Sequence, residues 1–314
     1  MILDELRLEW RGWWRGLDAT KRWSPFALVI VFLGLHAFFR GLRSDHFWLV
    51  AAGLGLYFSG PRLRLVWRWV QPLVLMTVIY DFQRYWAGTL RGTVRVAELR
   101  SWELAWFGIA TEGGLITPAQ WWQAHTLSWL DAVTGAGYLS FFPVFLGCAA
   151  WWRFREQRPD ALQLMWAMLW LNLAGYLTYL VFPAAPPWYV DHYGLGQALL
   201  AAAPEAGGAA RFDALFGVQV FAGIYGRNAN VFGAVPSLHV GQTFLAVLFA
   251  WRFGSLRVLA TGFWLLVTFG SVYLNHHYLV DGVVGMVFAT IAMWITILGV
   301  RHRQRSSRKE PDSR

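Results

Sequence analysis

Two short motifs in this sequence carry histidines of a kind that can do chemistry. The first is PSLH, residues 236–239, and the second is SVYLNHHYLVD, residues 271–281. His277 and Asp281 are four residues apart, which on a helix places them on one face. A carboxylate there can orient the imidazole through one ring nitrogen and leave the other free to attack. The predicted catalytic residues are His239, His277 and Asp281.

A nucleophilic imidazole paired with a second imidazole suits phosphoryl transfer through a phosphohistidine. The second histidine then protonates the departing alcohol. The alternative is a zinc site, because imidazoles and a carboxylate suit that metal. Its ligands would be His239, His276, His277 and Asp281. The adjacent His276 and His277 point to different faces of a helix, so we predict that the site uses no metal and no cofactor.

Phosphoryl transfer also needs positive donors around the phosphoryl oxygens. Arg84 in YDFQRY is the first candidate, because it follows Tyr80 and Asp81 at helical spacing and emerges from an apolar run. The alternative is an arginine that only extends to the membrane interface. Arg227 in YGRNAN and Arg211 in ARFD are further candidates. The predicted substrate-binding set is Arg84, Arg227, Asp81, Tyr80 and Ser237.

The composition defines the environment of these residues. Of the 314 residues, 57% are hydrophobic, 18% are aromatic and only 14% are charged. An ordinary globular protein has about 25% charged residues, so a soluble enzyme and a disordered chain are both excluded. The single cysteine, Cys148, allows no intrachain disulfide and no thiolate zinc site. The net charge is +9, but the charged residues lie between apolar runs, as residues that orient a membrane protein do. No nucleic acid partner is therefore expected.

Apolar runs predict an all-α, polytopic membrane bundle of about eight spans. The predicted spans are 23–39, 46–60, 69–83, 133–152, 161–182, 236–251, 258–276 and 281–300. The predicted domain organisation is an amphipathic surface segment at 1–22, a membrane phosphotransferase domain at 23–300 and a basic cytoplasmic tail at 301–314. Eight spans place both termini on one side of the membrane.

Basic residues indicate which side that is. With both termini in the cytoplasm, 19 Lys and Arg residues lie inside and 8 lie outside, as the positive-inside rule expects. Both histidine motifs then lie at the extracytoplasmic face. Two long segments lie on the same side. Residues 84–132 are expected to form interfacial helices, and residues 183–235 an ordered loop pinned by prolines.

At these residues the sequence resembles the type 2 phosphatidic acid phosphatase superfamily, since PSLH and HxxxD look like its second and third signature motifs. Within it, the sequence is similar to the aureobasidin-sensitive fungal inositol phosphorylceramide synthases. The resemblance covers about residues 170–300. The matching segments are FPAAPPWY at 182–189, YGL at 193–195, AARFD at 209–213, FGAVPSLH at 232–239 and YLNHHYLVDG at 273–282.

The resemblance implies a six-helix catalytic core and a metal-free transfer of phosphoinositol from a glycerophospholipid to ceramide. It implies that His277 is the nucleophile, Asp281 its orienting partner and His239 the acid and base. Two departures are plain. The first, lysine-containing superfamily motif is absent, and the arginine expected six residues before the third-motif histidine is Ser271.

Three functions remain open on the sequence alone. Transfer and hydrolysis share one covalent intermediate, so access of water decides between them. Residues 183–235 could cover a site that is open to lipid and closed to bulk water, which favours transfer over a lipid phosphate phosphatase. A transporter or scaffold is the third alternative, without a broken-helix repeat to support it.

The expected partners are a phospholipid donor, a lipid alcohol acceptor and the bilayer, and an accessory subunit is not indicated either way. A chain rich in Arg and Ala with two lysines favours a bacterial inner membrane, and the corresponding eukaryotic location is the Golgi.

Overall fold

The computed structural model describes residues 11, 12 and 14–308. The described chain is mostly helical, and it separates into two compact units, residues 1–74 and 75–314. Its long helices are α1 (Ala19–Phe38), α2 (Ser44–Phe58), α3 (Pro61–Leu90), α6 (Ser128–Ala150), α7 (Leu162–Val181), α11 (Leu238–Phe253), α12 (Arg257–Tyr273) and α13 (Leu279–Arg308). Each of the eight apolar runs falls on one of them, which confirms the predicted helical class.

Shorter elements connect these helices. They are α4 (Glu98–Phe107), α5 (Pro118–Ala124), α8 (Pro187–Tyr193), α9 (Ala210–Phe216) and α10 (Val220–Tyr225). A small antiparallel hairpin of β1 (Ile109–Thr111) and β2 (Gly114–Ile116) lies between α4 and α5, and the composition had not indicated it.

The candidate membrane spans found among the described residues all lie in the carboxy-terminal unit. Among the described residues, three segments are long and apolar enough to span a bilayer, namely Ser128–Arg155, Pro159–Val181 and Leu279–His302. Helix α12 is apolar but shorter. The number of eight spans therefore stays a prediction, as do the three predicted domains.

The ends of the predicted domains differ from the helix ends. In the amino-terminal unit, α1 begins at Ala19, inside the predicted surface segment, because the Asp18 side chain accepts the Lys21 backbone N–H at 2.7 Å. Half of that segment, residues 1–10 and 13, lies outside the described residues. At the other end, α13 continues to Arg308, well into the predicted tail, and residues 309–314 are outside the description.

Five helices, α6, α7, α11, α12 and α13, pack against one another in the carboxy-terminal unit. Helices α11 and α13 approach closely because glycines face each other. A Cβ atom on Gly285 would lie 2.4 Å from the carbonyl oxygen of Ser237, and one on Gly241 would lie 2.9 Å from that of Gly285. Small residues of this kind allow close backbone contact between helices in a membrane. The contact brings the first turns of α11 and α13 together.

The proline-rich loop is tied to its surroundings through backbone hydrogen bonds. Ala184 bridges in parallel to Arg95 on one side and to Gly233 on the other. Further along, the Trp188 N–H donates to the Asn275 carbonyl at 3.1 Å, and the Gly208 N–H donates to the Leu274 carbonyl at 2.8 Å. Residues 183–235 therefore form an ordered loop, as predicted, and they are attached to the second histidine motif.

Candidate active site

His239 lies in the first turn of α11. The helix begins there because the side chain of Ser237 caps it by accepting the Val240 backbone N–H. The imidazole stacks on Tyr138 of α6, with ring centroids 4.3 Å apart, and lies edge-on to Phe141 at 4.8 Å. The position of His239 is thus set by aromatic packing.

His277 lies in the loop between α12 and α13. Its Nδ1 is 2.9 Å from the carbonyl oxygen of Ala234 and 3.5 Å from Oδ2 of Asp281. Both neighbours are acceptors, so Nδ1 carries the proton and Nε2 is left without it. The expected orientation of the ring is present, with a backbone carbonyl as the nearer of the two acceptors.

The expectation that His277 and Asp281 share a helical face is wrong in one respect. Helix α13 begins only at Leu279, so His277 precedes it. The two side chains still meet because the chain turns at Asn275, just after α12. The φ of Asn275 is 62°, in the left-handed region that asparagine tolerates. The carbonyl of Ser271 then accepts the backbone N–H groups of both His276 and His277 at 3.0 Å.

Asp281 is fully buried and connects the two motifs. Its Oδ2 accepts the Tyr278 backbone N–H at 2.9 Å, and its carbonyl accepts the Ser237 N–H at 2.9 Å. The residue that neighbours His277 therefore also holds the turn that carries His239. As a result the imidazoles of His239 and His277 lie 5.9 Å apart between ring centroids, close enough for both to reach one phosphorus centre.

His276 does not join this pair. Its ring is stacked between Tyr138 and Tyr225, at 5.3 Å and 4.5 Å and nearly parallel to both. In the described part of the chain, no three ligand atoms from His239, His276, His277 and Asp281 lie within 4.8 Å of one another. This arrangement does not favour the zinc alternative.

The remaining predicted residues lie along α3 and the 226–230 turn. Arg84 pairs with Asp81, with Nη2 at 2.5 Å from Oδ1, and the pair is partly exposed. The Tyr80 hydroxyl donates to Oδ1 of Asn228, the residue that follows the exposed Arg227. Ser237 is buried, and its hydroxyl is used in the helix cap.

Arg211 has a structural position instead. Its guanidinium donates to Asp131 Oδ1 at 2.6 Å, to Gln123 Oε1 at 2.7 Å and to the Tyr273 carbonyl at 3.1 Å. These bonds use all three guanidinium nitrogens and join α5, α6 and the end of α12. Arg211 therefore supports the loop that carries His277.

Sequence reasoning missed two contributors to the site. Tyr138 contacts both His239 and His276, and its place in an apolar span gave no signal beyond a polar hydroxyl at membrane depth. The Ala234 carbonyl had no signal at all, because a backbone acceptor is common to every residue type. Both are found only once the helices are packed.

Residues 104–295 match the family model described as PAP2 superfamily. The chain belongs to this superfamily. The matched range contains both histidine motifs, four of the five packed helices and the first part of α13, and it confirms the phosphatase-like core expected from the motifs.

Several curated relatives of this PAP2 protein are named as synthases of inositol-containing phosphoceramides. It is 34% identical over 279 residues to a phosphoinositol dihydroceramide synthase of Bacteroides thetaiotaomicron, covering 87% of this chain and 90% of the relative. It is 42% identical over 123 residues to the inositol phosphorylceramide synthase catalytic subunit of Schizosaccharomyces pombe, covering 39% of this chain and 29% of that one. The corresponding subunit of Saccharomyces cerevisiae is 37% identical over 128 residues, covering 40% and 32%. No solved structure matches the chain.

The unusual residue of this PAP2 chain, Ser271, has a defined place in the site. It is buried, its hydroxyl donates to the Thr268 carbonyl at 2.8 Å, and its own carbonyl holds the loop at residues 276 and 277. Its short side chain is used within α12 and extends no positive charge toward the histidines. Any arginine that contacts the phosphoryl group must therefore come from another part of the chain.

Proposed function

We propose that this protein transfers phosphoinositol from a glycerophospholipid to the hydroxyl of a ceramide-type lipid, through a phosphohistidine on His277. The observation that carries the proposal is the pair of imidazoles 5.9 Å apart, one of them held by its Nδ1 with Nε2 free. The named activities of the relatives support the choice of head group and acceptor.

The reaction has two balanced steps. In the first, His277 Nε2 attacks phosphorus, the bond to the diacylglycerol oxygen breaks, and His239 gives that oxygen its proton. In the second, neutral His239 takes the proton of the ceramide hydroxyl, whose oxygen attacks phosphorus while the phosphorus–nitrogen bond to His277 breaks. Asp281 and the Ala234 carbonyl stabilise the Nδ1–H of His277 while the ring carries the phosphoryl group.

For the phosphate we propose contacts from Arg84 and Arg227. The Tyr80–Asn228 hydrogen bond supports this, because it brings the part of α3 that holds Arg84 beside the turn that holds Arg227. Asp81 would orient Arg84 through their ion pair. For Ser237 the geometry supports a positioning role, since its hydroxyl caps α11 next to His239.

Transfer is preferred over hydrolysis because the loop beside the site is packed. Trp188, Tyr189 and Phe232 are buried together within residues 183–235. Such a packed loop would limit the access of bulk water to a phosphohistidine, while a lipid alcohol could enter from the bilayer.

The direct test uses purified protein in liposomes that contain labelled phosphatidylinositol, with and without ceramide. We expect labelled phosphoinositol on ceramide, in proportion to diacylglycerol released, and no product from His277→Ala. Release of free inositol phosphate at equal rates with and without ceramide would replace transfer with hydrolysis. No turnover of any phospholipid by folded protein would contradict the proposal.

We also propose that the site lies at the extracytoplasmic face, in a bacterial inner membrane or, in a eukaryote, the Golgi. The distribution of basic residues supports this orientation. Cys148 is buried, so a cysteine placed at the exposed Glu112 in the β1–β2 turn can be labelled with little competing reaction at Cys148. A membrane-impermeant maleimide should label it from outside intact spheroplasts. Labelling only after lysis would reverse the orientation.

A further inference from the structure

Glu103 is a fully buried carboxylate that neither motif includes. It lies on α4, far from the histidines in sequence, and none of its surface is exposed. Its Oε1 accepts the backbone N–H of Leu279 at 3.0 Å, and its Oε2 accepts that of Val280 at 3.1 Å. Among the described residues, no cation lies within ion-pair distance of Glu103. Its two oxygens are therefore directed at the first turn of α13.

The first turn of a helix has N–H groups without helical partners, and a negative charge beside it is favourable. At the start of α13, two carboxylates accept these N–H groups. Asp281 takes the Tyr278 N–H, and Glu103 takes the next two, at Leu279 and Val280. Three consecutive N–H groups are thus fixed by side chains. Burying a carboxylate without a cation is unfavourable, so we expect Glu103 to have a structural or functional role that compensates for this cost.

The role that the structure indicates for Glu103 is to position Asp281. Leu279 and Val280 lie directly before Asp281 in the segment that connects it to His277, and their backbone sets the direction in which the Asp281 side chain leaves the helix. The distance of 3.5 Å between His277 Nδ1 and Asp281 Oδ2 is already long for a hydrogen bond, so a small rotation of the first turn of α13 would remove the contact. The Ser237 N–H bond to the Asp281 carbonyl passes any such rotation on to the turn that carries His239.

We propose that Glu103 is a positioning residue for the catalytic pair, which sets the start of α13 so that Asp281 meets His277. This inference rests on the proposed function, because it assumes that His277 is the nucleophile. Glu103 touches neither histidine and acts through the backbone of Leu279 and Val280. Burial is the largest cause that raises the pKa of Glu103, the two N–H bonds lower it, the charge of Asp281 adds a smaller increase, and the net pKa is about 7.

The test compares three full-length variants in the same liposome assay. Glu103→Ala removes both acceptors, whereas Glu103→Gln keeps one carbonyl oxygen. Glu98→Gln is the matched control, because Glu98 lies on the same helix, is partly exposed and pairs with Arg95 at 3.1 Å. We expect kcat to fall roughly 10-fold to 100-fold in the alanine variant, the loss that is typical when a group that orients a metal-ligating histidine is removed. The glutamine variant should recover part of this loss, and the control should stay within about twofold of wild type.

A merely structural role predicts a different pattern. Loss of folded protein would lower the amount of active enzyme in step with its melting transition, whereas mispositioning lowers kcat per folded molecule and leaves KM for the donor lipid unchanged. A kcat per folded molecule within twofold of wild type in Glu103→Ala would overturn the proposal, and so would a loss confined to KM.

A second readout does not depend on the substrate. Hydrogen exchange of the resting protein should speed up at the amides of Leu279 and Val280 in Glu103→Ala, and unchanged exchange there would overturn the inference. Failure of the proposed function looks different. In that case His277→Ala would turn over lipid at the wild-type rate, whatever happens at Glu103.

Discussion

The turn around His239 and the loop around His277 hold the same kind of side chain by different means. Two polar acceptors, Ala234 O and Asp281 Oδ2, contact Nδ1 of His277. Among the described residues the ring of His239 has no hydrogen bond, and it packs on Tyr138 and Phe141. Polar acceptors select one tautomer, as a nucleophile needs. Aromatic packing holds a ring in place whether or not it carries an extra proton, as an acid and base needs.

The largest effect should come from His277→Ala, because it removes the atom that forms the covalent intermediate. Turnover should fall to background, and no acid-labile phosphorylated protein should be trapped after mixing with labelled donor. A trapped phosphoprotein at the wild-type level in this variant would place the nucleophile elsewhere.

His239→Ala should lower kcat by about 10²-fold to 10⁴-fold, the usual contribution of a general acid. The comparison can be sharpened with an aryl ester of phosphoinositol, whose leaving group needs no proton. Formation of the phosphohistidine from this donor should be nearly restored in His239→Ala and still absent in His277→Ala. Equal losses with lipid and aryl donors would contradict the division of roles.

Gly285→Ala should disturb both regions together, since the new Cβ atom would lie 2.4 Å from the Ser237 carbonyl. Overpacking of this kind costs about 1–3 kcal/mol of stability, and we expect a lower melting temperature together with reduced kcat. Gly299→Ala is the matched control on the same helix, because a Cβ atom there meets nothing within 4 Å. Equal behaviour of the two variants would show that the close contact between α11 and α13 is not needed.

The smallest effect should come from Tyr138. Tyr138→Ala removes the aromatic contact to His239, which is worth about 0.5–1.5 kcal/mol, and it should lower kcat several-fold. Tyr138→Phe keeps the ring and should stay near the wild-type rate. If the phenylalanine variant were as poor as the alanine variant, the hydroxyl rather than the stacking would be what matters.

The sequence alone predicted the helices well and their ends poorly. The third apolar run, 69–83, marks only the middle of α3, Pro61–Leu90, because helical hydrogen bonding continues into polar turns that hydropathy does not detect. The hairpin at 109–116 was missed because its strands are three residues long and have no clear alternation.

In the site, the predictable part was what lies within each motif. His277 and Asp281 meet as expected from their spacing, although His277 precedes the helix. The contacts that join distant segments were not predictable. Glu103 lies 176 residues from Leu279 in sequence, and nothing in ELRSWELAWF distinguishes it from Glu98, the other acid of the same helix.

The acceptor nearest to His277 belongs to the main chain of Ala234. Every amino acid supplies the same carbonyl oxygen, so replacing Ala234 by another small residue leaves that contact in place. An alanine scan of this enzyme would therefore find Asp281 and pass over the closer of the two groups that orient the nucleophile. Changing it requires altering the backbone itself, for example by replacing the peptide with an ester at that position.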